Sequence, residues 1–424
     1  MRELREFVTP DSPSLETFSD IQLCTINEPL LPNLKALELA GIEEWFIPLI
    51  PMFLSPRTTT IFLSFGSEPN PPMVASMITT IPALCPDLQA ISLYPLPRDP
   101  IITAAISGML LVANQSTLRE LRVDSPLTEE ASEVLYELPN LCGLEVVIER
   151  ETPLPSASLP NLTRLIITCN NEDNWPQVFH GATFGKLESI MFFLQSEQIG
   201  DFLGAFERVA LSSSVQNTLS TFYLSTLYSW NPKYSSLLPF TQLVCLVIQF
   251  SCDGGCSSTV DDDTVISLSR AMPKLESLEL GNTPCGQITG GITTKGLLAL
   301  ARQCPNLYTL CAHLRVASLS EPPVVPGMVR NAGPVASWTG CALTQLEVGE
   351  APVPEGSAII IALTLLRIFP QLNYITSNVK RWGEVRDAIS HFREIIGSSK
   401  QCFPTTPRSA LNGCSTGAAL ETSS

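Results

Sequence analysis

Histidine is almost missing from this chain, and fixed charge is thin. The three histidines, His180, His313 and His391, lie in different segments and repeat in no motif. General-base chemistry by imidazole is therefore unsupported. Charged residues make up 16% of the chain, against a typical share of about 25%. Apolar and uncharged polar side chains must cover more of the surface than usual. Runs of five or more basic residues are absent, and the Lys380-Arg381 pair is too small to serve as one. With a net charge of −16, the chain repels a phosphate backbone, so no nucleic-acid partner is expected.

Long apolar runs are lacking too. The stretches Ile101–Ala113 and Ala358–Leu366 are too short to span a bilayer, and each reads as a buried helix. The opening Met-Arg-Glu-Leu-Arg-Glu has no apolar core of a signal peptide, so no membrane partner is expected. The 13 cysteines are odd in number and scattered, which does not describe a disulfide framework. Reduced thiols in a cytoplasmic or nuclear protein are the expectation.

Motifs of chemistry are incomplete. Cys252-Asp-Gly-Gly-Cys256 is the only close cysteine pair, and no second pair completes a four-ligand zinc site. Asp261-Asp262-Asp263 lacks the alternating oxygens and distal glutamate of a calcium loop, and helix capping explains it better. Gly286-Gln-Ile-Thr-Gly-Gly291 lacks the lysine of a phosphate-cradling loop and reads as a turn. Serine is abundant, and a lone serine nucleophile is unsupported. Catalytic residues, cofactors and metal ligands are accordingly none.

What is present is a repeat. Leu31-Pro-Asn-Leu34-Lys-Ala-Leu37-Glu-Leu39 returns in altered form at Cys85-Pro-Asp-Leu88, Leu138-Pro-Asn-Leu141, Leu159-Pro-Asn-Leu162, Met272-Pro-Lys-Leu275, Cys304-Pro-Asn-Leu307 and Phe369-Pro-Gln-Leu372. Versions without proline start at Leu118, Leu187, Leu219, Leu243 and Leu343, and a degenerate one covers Thr58–Leu63. From Leu34 to Leu372 the thirteen copies advance about 28 residues per step, inside the rough 20–29 range of leucine-rich repeats. Steps of 32 to 36 residues imply inserted loops. In each copy the last two leucines share one strand face, because strand side chains alternate. Proline before the strand stops the preceding helix, and seven such prolines explain much of the total of 35. Between strands the spacing turns helical, behind cap-like residues at Thr128, Asp261 and Thr294.

The fold class expected is α/β, a leucine-rich-repeat solenoid with a curved parallel sheet on the concave side and helices on the convex side. The repeat domain spans 31–378. Residues 1–30 read as a degenerate repeat or cap, with Leu4-Arg-Glu-Phe7-Val8 and Leu15-Glu-Thr-Phe18 resembling strands. They leave two readings open, a solenoid cut short or an improvised cap. An amphipathic helix, Gly383–Ile396 within 379–396, can cover the far end of the core. The Ser-, Thr- and Gly-rich segment 397–424 reads as disordered and carries one minimal phosphorylation-like pair, Thr406-Pro407.

The Leu-Pro-Asn-Leu and Cys-Pro-Asn-Leu openings, with unit lengths like those of ribonuclease inhibitor, resemble fungal F-box/leucine-rich-repeat proteins over about Leu31 to Asn378. The resemblance implies a substrate receptor of a cullin-based ubiquitin ligase. In that family a helical F-box of some forty residues holds a Skp-type adaptor and the repeats hold the substrate. Residues 1–30 show no Leu-Pro-x-Glu opening and no room for an F-box. Adaptor binding is expected only if an F-box lies upstream. What the resemblance leaves is a protein-binding horseshoe; a standalone scaffold or regulatory binder is the alternative.

The residue between the last two leucines of each copy should point to the concave face. That rung reads Glu38, Phe62, Ser92, Arg122, Glu145, Ile166, Met191, Tyr223, Val247, Glu279, Cys311, Glu347 and Thr376. Ile166, Met191, Tyr223 and Val247 are consecutive and apolar or aromatic. Phe193 and Cys245 on flanking positions extend the stripe, and Glu145 and Glu279 bound it. An apolar patch with a charged rim suits a protein partner; a loop folded over these strands, or strands that are simply greasy, would give the same pattern.

Overall fold

The computed structural model describes residues 3–7, 29–66, 69–112, 117–148, 158–169, 183–195, 202–211, 214–227, 232–250, 260–281, 291–319, 340–349 and 351–402. Its framework is one unclosed sheet of 14 strands, every adjacent pair parallel and in chain order. The strands are β1 (Glu3–Phe7), β2 (Ala36–Ile42), β3 (Thr60–Phe65), β4 (Ala90–Tyr94), β5 (Glu120–Pro126), β6 (Gly143–Ile148), β8 (Arg164–Cys169), β10 (Ser189–Leu194), β11 (Thr221–Thr226), β12 (Cys245–Phe250), β13 (Ser277–Leu280), β14 (Thr309–Ala312), β15 (Gln345–Val348) and β16 (Tyr374–Thr376). Short segments β7 (Ser158–Leu159) and β9 (Thr183–Phe184) pair separately. This is an α/β leucine-rich-repeat solenoid. Each of the thirteen repeat copies supplies one strand, and β1 adds a strand ahead of them. Leu15–Phe18, Thr406-Pro407 and the cysteine pair at 252 and 256 lie outside the described residues.

The helical layer is α1 (Pro71–Leu84), α2 (Pro100–Val112), α3 (Glu129–Glu137), α4 (Phe202–Leu211), α5 (Val215–Thr218), α6 (Asp262–Ala271), α7 (Thr294–Gln303), α8 (Ala358–Ile368) and α9 (Trp382–Cys402). Three units use 3₁₀ turns instead, at Glu44–Phe53, Tyr234–Leu237 and Val316–Leu319. The prolines Pro48 and Pro51 inside the first of these remove amide donors that an α-helix would need. The two apolar runs of the sequence are α2 and α8, and both are covered on one side only: Ile101, Leu111, Val112, Ile359 and Ile360 are exposed. Among the described residues, no helix is long and apolar enough to cross a membrane. Helix α9 packs against α8, with Trp382, Val385 and Ile389 buried. It starts one residue earlier and runs six residues further than the periodicity of the sequence indicates.

The core is built by alternation. Leu37 and Leu39, Leu165 and Ile167, Leu246 and Ile248, and Leu278 and Leu280 are all at most 2% exposed. They face the helices, and the residues between them face the other way. Gly41 in β2 has φ 69° where the register with β3 shifts between Leu39 and Ile42. That left-handed conformation suits a residue without Cβ.

The repeated proline has a second use beyond stopping a helix. All seven prolines occupy the second position of a β-turn closed by the first leucine's amide, for example Leu34 N to Leu31 O at 3.0 Å and Leu307 N to Cys304 O at 3.2 Å. Proline's fixed φ is pre-set for that position. In several copies, with and without the proline, the first leucine's carbonyl then accepts from the following copy. Thr58 Oγ1 donates to Leu34 O (3.2 Å), Thr117 Oγ1 to Leu88 O (2.9 Å), Thr218 Oγ1 to Leu187 O (2.7 Å) and Cys341 Sγ to Leu307 O (3.7 Å). Cys304 Sγ donates instead to the carbonyl of Met272, the residue ahead of the proline in the preceding copy, at 3.5 Å. This lateral ladder satisfies carbonyls that the parallel sheet leaves over. Thr218→Val, close in shape, should lower stability by about 1 kcal/mol in urea unfolding. Burial pushes the Cys304 thiol up to about 12 and the Cys85 thiol to about 11. Both should resist iodoacetamide in the folded protein and react after denaturation, as peptide mass mapping would show.

The capping reading of the three aspartates holds for Asp261, whose side chain accepts from Thr264 N at 2.8 Å. Asp262 instead reaches the next repeat, accepting from Thr293 N (2.8 Å), Gly296 N (3.1 Å) and the Thr293 hydroxyl. Asp263 pairs with Lys295 at 3.2 Å. Thr128 caps α3 through Ala131 N. The cap of α7 is Thr293 rather than Thr294, because Thr294 turns its hydroxyl to Ser318 O at 2.8 Å.

Candidate functional site on the open face of the sheet

Strand pairing puts the rung residues in line. Arg5, Glu38, Phe62, Ser92, Arg122, Glu145, Ile166, Met191, Tyr223, Val247, Glu279, Cys311, Glu347 and Thr376 are register partners at every successive step. Neighbouring strands are about 4.8 Å apart, so this is a continuous row across the molecule. It lies on the sheet face away from the helices.

Within it, Ile166, Met191 and Tyr223 are half-buried, and Val247 is 8% exposed. Phe193 stands two residues beyond Met191, and its ring lies 5.4 Å from that of Tyr223, tilted by 46°. Cys245 stands two residues before Val247 and is half-buried. The stripe is thus one contiguous patch over β8, β10, β11 and β12. Tyr223 Oη donates to Gln249 Oε1 at 2.6 Å, and Gln249 Nε2 donates to Glu279 Oε1 at 2.8 Å. This chain runs past Val247 from one strand to the next and fixes the polar edge of the patch.

A phenylalanine cluster supports the patch from below. Phe192, fully buried, has ring centroids 4.8 Å from Phe202, 5.8 Å from Phe206 and 6.0 Å from Phe222. Phe206 in turn stacks on Phe240 at 5.2 Å. These rings hold β10, β11 and α4 together, so Met191, Phe193 and Tyr223 project from a rigid base.

The two rims differ. On the β5–β8 side, Glu120 Oε2 bridges Arg122 (3.2 Å) and Arg164 (3.1 Å). Burial raises the Glu145 carboxyl above its ordinary value; the guanidiniums of Arg122 and Arg164 partly oppose this, while Asp124 adds to it. On the far side, Glu279 and Glu347 flank Cys311 on the rung, and among the described residues neither has a salt bridge. Cys311 is 4% exposed. Burial pushes its thiol far up, and the carboxylates of Glu347 and Glu279 push it further. The Cys245 thiol is also raised, chiefly by burial. Both therefore stay as thiols at neutral pH and are poor nucleophiles.

Of the histidines, His313 lies against Gly349, His391 is on the exposed side of α9, and His180 is outside the described residues. Among the described residues, no group of three or more His, Cys, Asp or Glu is placed to hold a metal. A cleft of about 610 Å³ lies elsewhere, between the turns after β3 and β4, lined by Pro69, Pro71, Pro95, Pro97, Glu44 and Arg98. It shares no residue with the patch.

Sequence reasoning along the rung missed Gln249, Arg164 and the paired Glu120. The signal was available, since each stands two residues from a rung position on the same strand and so shares its face. What pairing they would make depends on which strands are neighbours. Neither a family model nor a curated relative matches the chain.

Proposed function

We propose that the chain is a protein-recognition module that holds its partner on the open sheet face, centred on Met191, Phe193 and Tyr223. The observation that carries this reading is the unbroken register of buried and half-buried apolar side chains from Ile166 to Val247 on a sheet face that, among the described residues, no helix covers. A contiguous apolar patch with a polar rim on a rigid base fits a binding surface. The resemblance of the repeats to F-box/leucine-rich-repeat proteins extends the proposal: the partner is the substrate of a cullin-type ubiquitin ligase. If adaptor does not co-purify with the product of the encoding locus, the module is a standalone scaffold.

Proximity labelling from the full chain, compared with Met191→Asp and Tyr223→Asp, tests the surface itself. Proteins labelled by the wild type should lose labelling with both variants. Purified, they should bind at least tenfold more weakly to the variants, as expected for central interface residues worth roughly 2 kcal/mol. Met191→Ala should leave the thermal midpoint nearly unchanged. Undiminished binding to both aspartate variants would remove the patch from consideration.

A further inference from the structure

The two rims of the patch are not equivalent, and the difference specifies the charge of what docks. On the β5–β8 side, two guanidiniums, Arg122 and Arg164, face Glu120, Asp124 and Glu145 and are already engaged by Glu120. An incoming carboxylate would have to break those pairs. On the other side, Glu279 and Glu347 lie two ladder steps apart on the rung with Cys311 between them. Among the described residues, Glu279 accepts a side-chain hydrogen bond from the neutral Gln249 amide and from no cation. Arg386 of α9 lines the same 260 Å³ cleft as Glu347 but forms no ion pair with it. A carboxylate on a sheet face, short of a cation and beside an apolar patch, is a ready acceptor for one. The field of a chain with net charge −16 draws cations to it from solution.

We infer that the open face takes a basic segment of a partner protein, an aliphatic or aromatic side chain seated on Met191, Phe193 and Tyr223 with a lysine or arginine reaching Glu279. This rests on the reading of the face as a protein-binding surface. The spacing follows from the ladder. Tyr223, Val247 and Glu279 are successive register partners, so the anchor and the cation are about 10 Å apart. An extended segment covers that distance in about three residues. Glu347, two strands further on, takes a second cation in a longer segment.

Panning a random dodecapeptide phage library on the full chain tests this. Peptides enriched on the wild type should pair an aliphatic or aromatic residue with Lys or Arg three or four positions away. A synthetic copy of the strongest should bind at least tenfold more weakly to Glu279→Lys, with a smaller loss for Glu279→Gln. Panning on the double variant E279K/E347K should reverse the selected charge to Asp and Glu. Thermal melting of each variant shows that the fold is kept. Peptides that depend on Met191 and Tyr223 but carry no basic bias, or keep their charge on the double variant, overturn the inference and leave the binding face standing. Enrichment that ignores Met191→Asp, or no enrichment at all, overturns both.

Discussion

Phe192→Ala should destabilise the protein by about 3–5 kcal/mol, the range for truncating a buried aromatic ring. Phe192 is fully buried and faces three other phenylalanines. Its removal leaves a cavity that β10, α4 and β11 would have to collapse together to close. Stability in a solenoid is the sum of repeat and neighbour terms. The loss should therefore concentrate near β10, and hydrogen exchange should show β10 and β11 opening before β2 or β15. Met191→Ala, one residue away on the opposite face, should cost well under half as much. Equal losses at 191 and 192 in urea unfolding would show that the two faces are packed alike, and the proposed binding surface would be core.

Asp262→Ala should cost about 2–3 kcal/mol, as expected for a carboxylate that accepts several hydrogen bonds. It leaves the Thr293 and Gly296 amides at the start of α7 without their acceptor, and it cuts a tie between α6 and α7. Gly296 belongs to the same device. A Cβ there would come 2.5 Å from Asp262 Oδ1 and 2.7 Å from Ile292 Cγ2, so Gly296→Ala should destabilise by about 1–3 kcal/mol through overpacking. The two substitutions should be non-additive, because either one alone displaces the Asp262 carboxylate from the helix terminus. A double variant whose loss equals the sum of the singles would show that the carboxylate and the glycine act independently.

These expectations differ in how far the sequence could have reached them. That Met191 and Phe192 face opposite ways was legible, because a leucine-rich strand has period two and the flanking leucines mark the buried side. The thirteen strands and the order of the rung were legible for the same reason. Asp262 was not. Its acceptance from Thr293 and Gly296 lies between repeats and depends on how far α6 is displaced from α7, which no local spacing records. A run of three acids at a helix start says only that one of them caps it.

The same division holds for the binding face. The chain's own pattern settled the strand of each of the thirteen copies, the seven prolines that stop a helix ahead of a strand and the line of Ile166, Met191, Tyr223 and Val247, since each follows from side-chain alternation and a repeating unit. The folded structure alone decided that Tyr223, Gln249 and Glu279 join in one hydrogen-bonded chain, that Glu120 holds both Arg122 and Arg164, and that Phe192, Phe202, Phe206, Phe222 and Phe240 form one cluster. Most of these groups include contacts between residues of different repeats, Glu120 and Arg164 standing 44 positions apart. Only the packing of one unit on another brings them within reach.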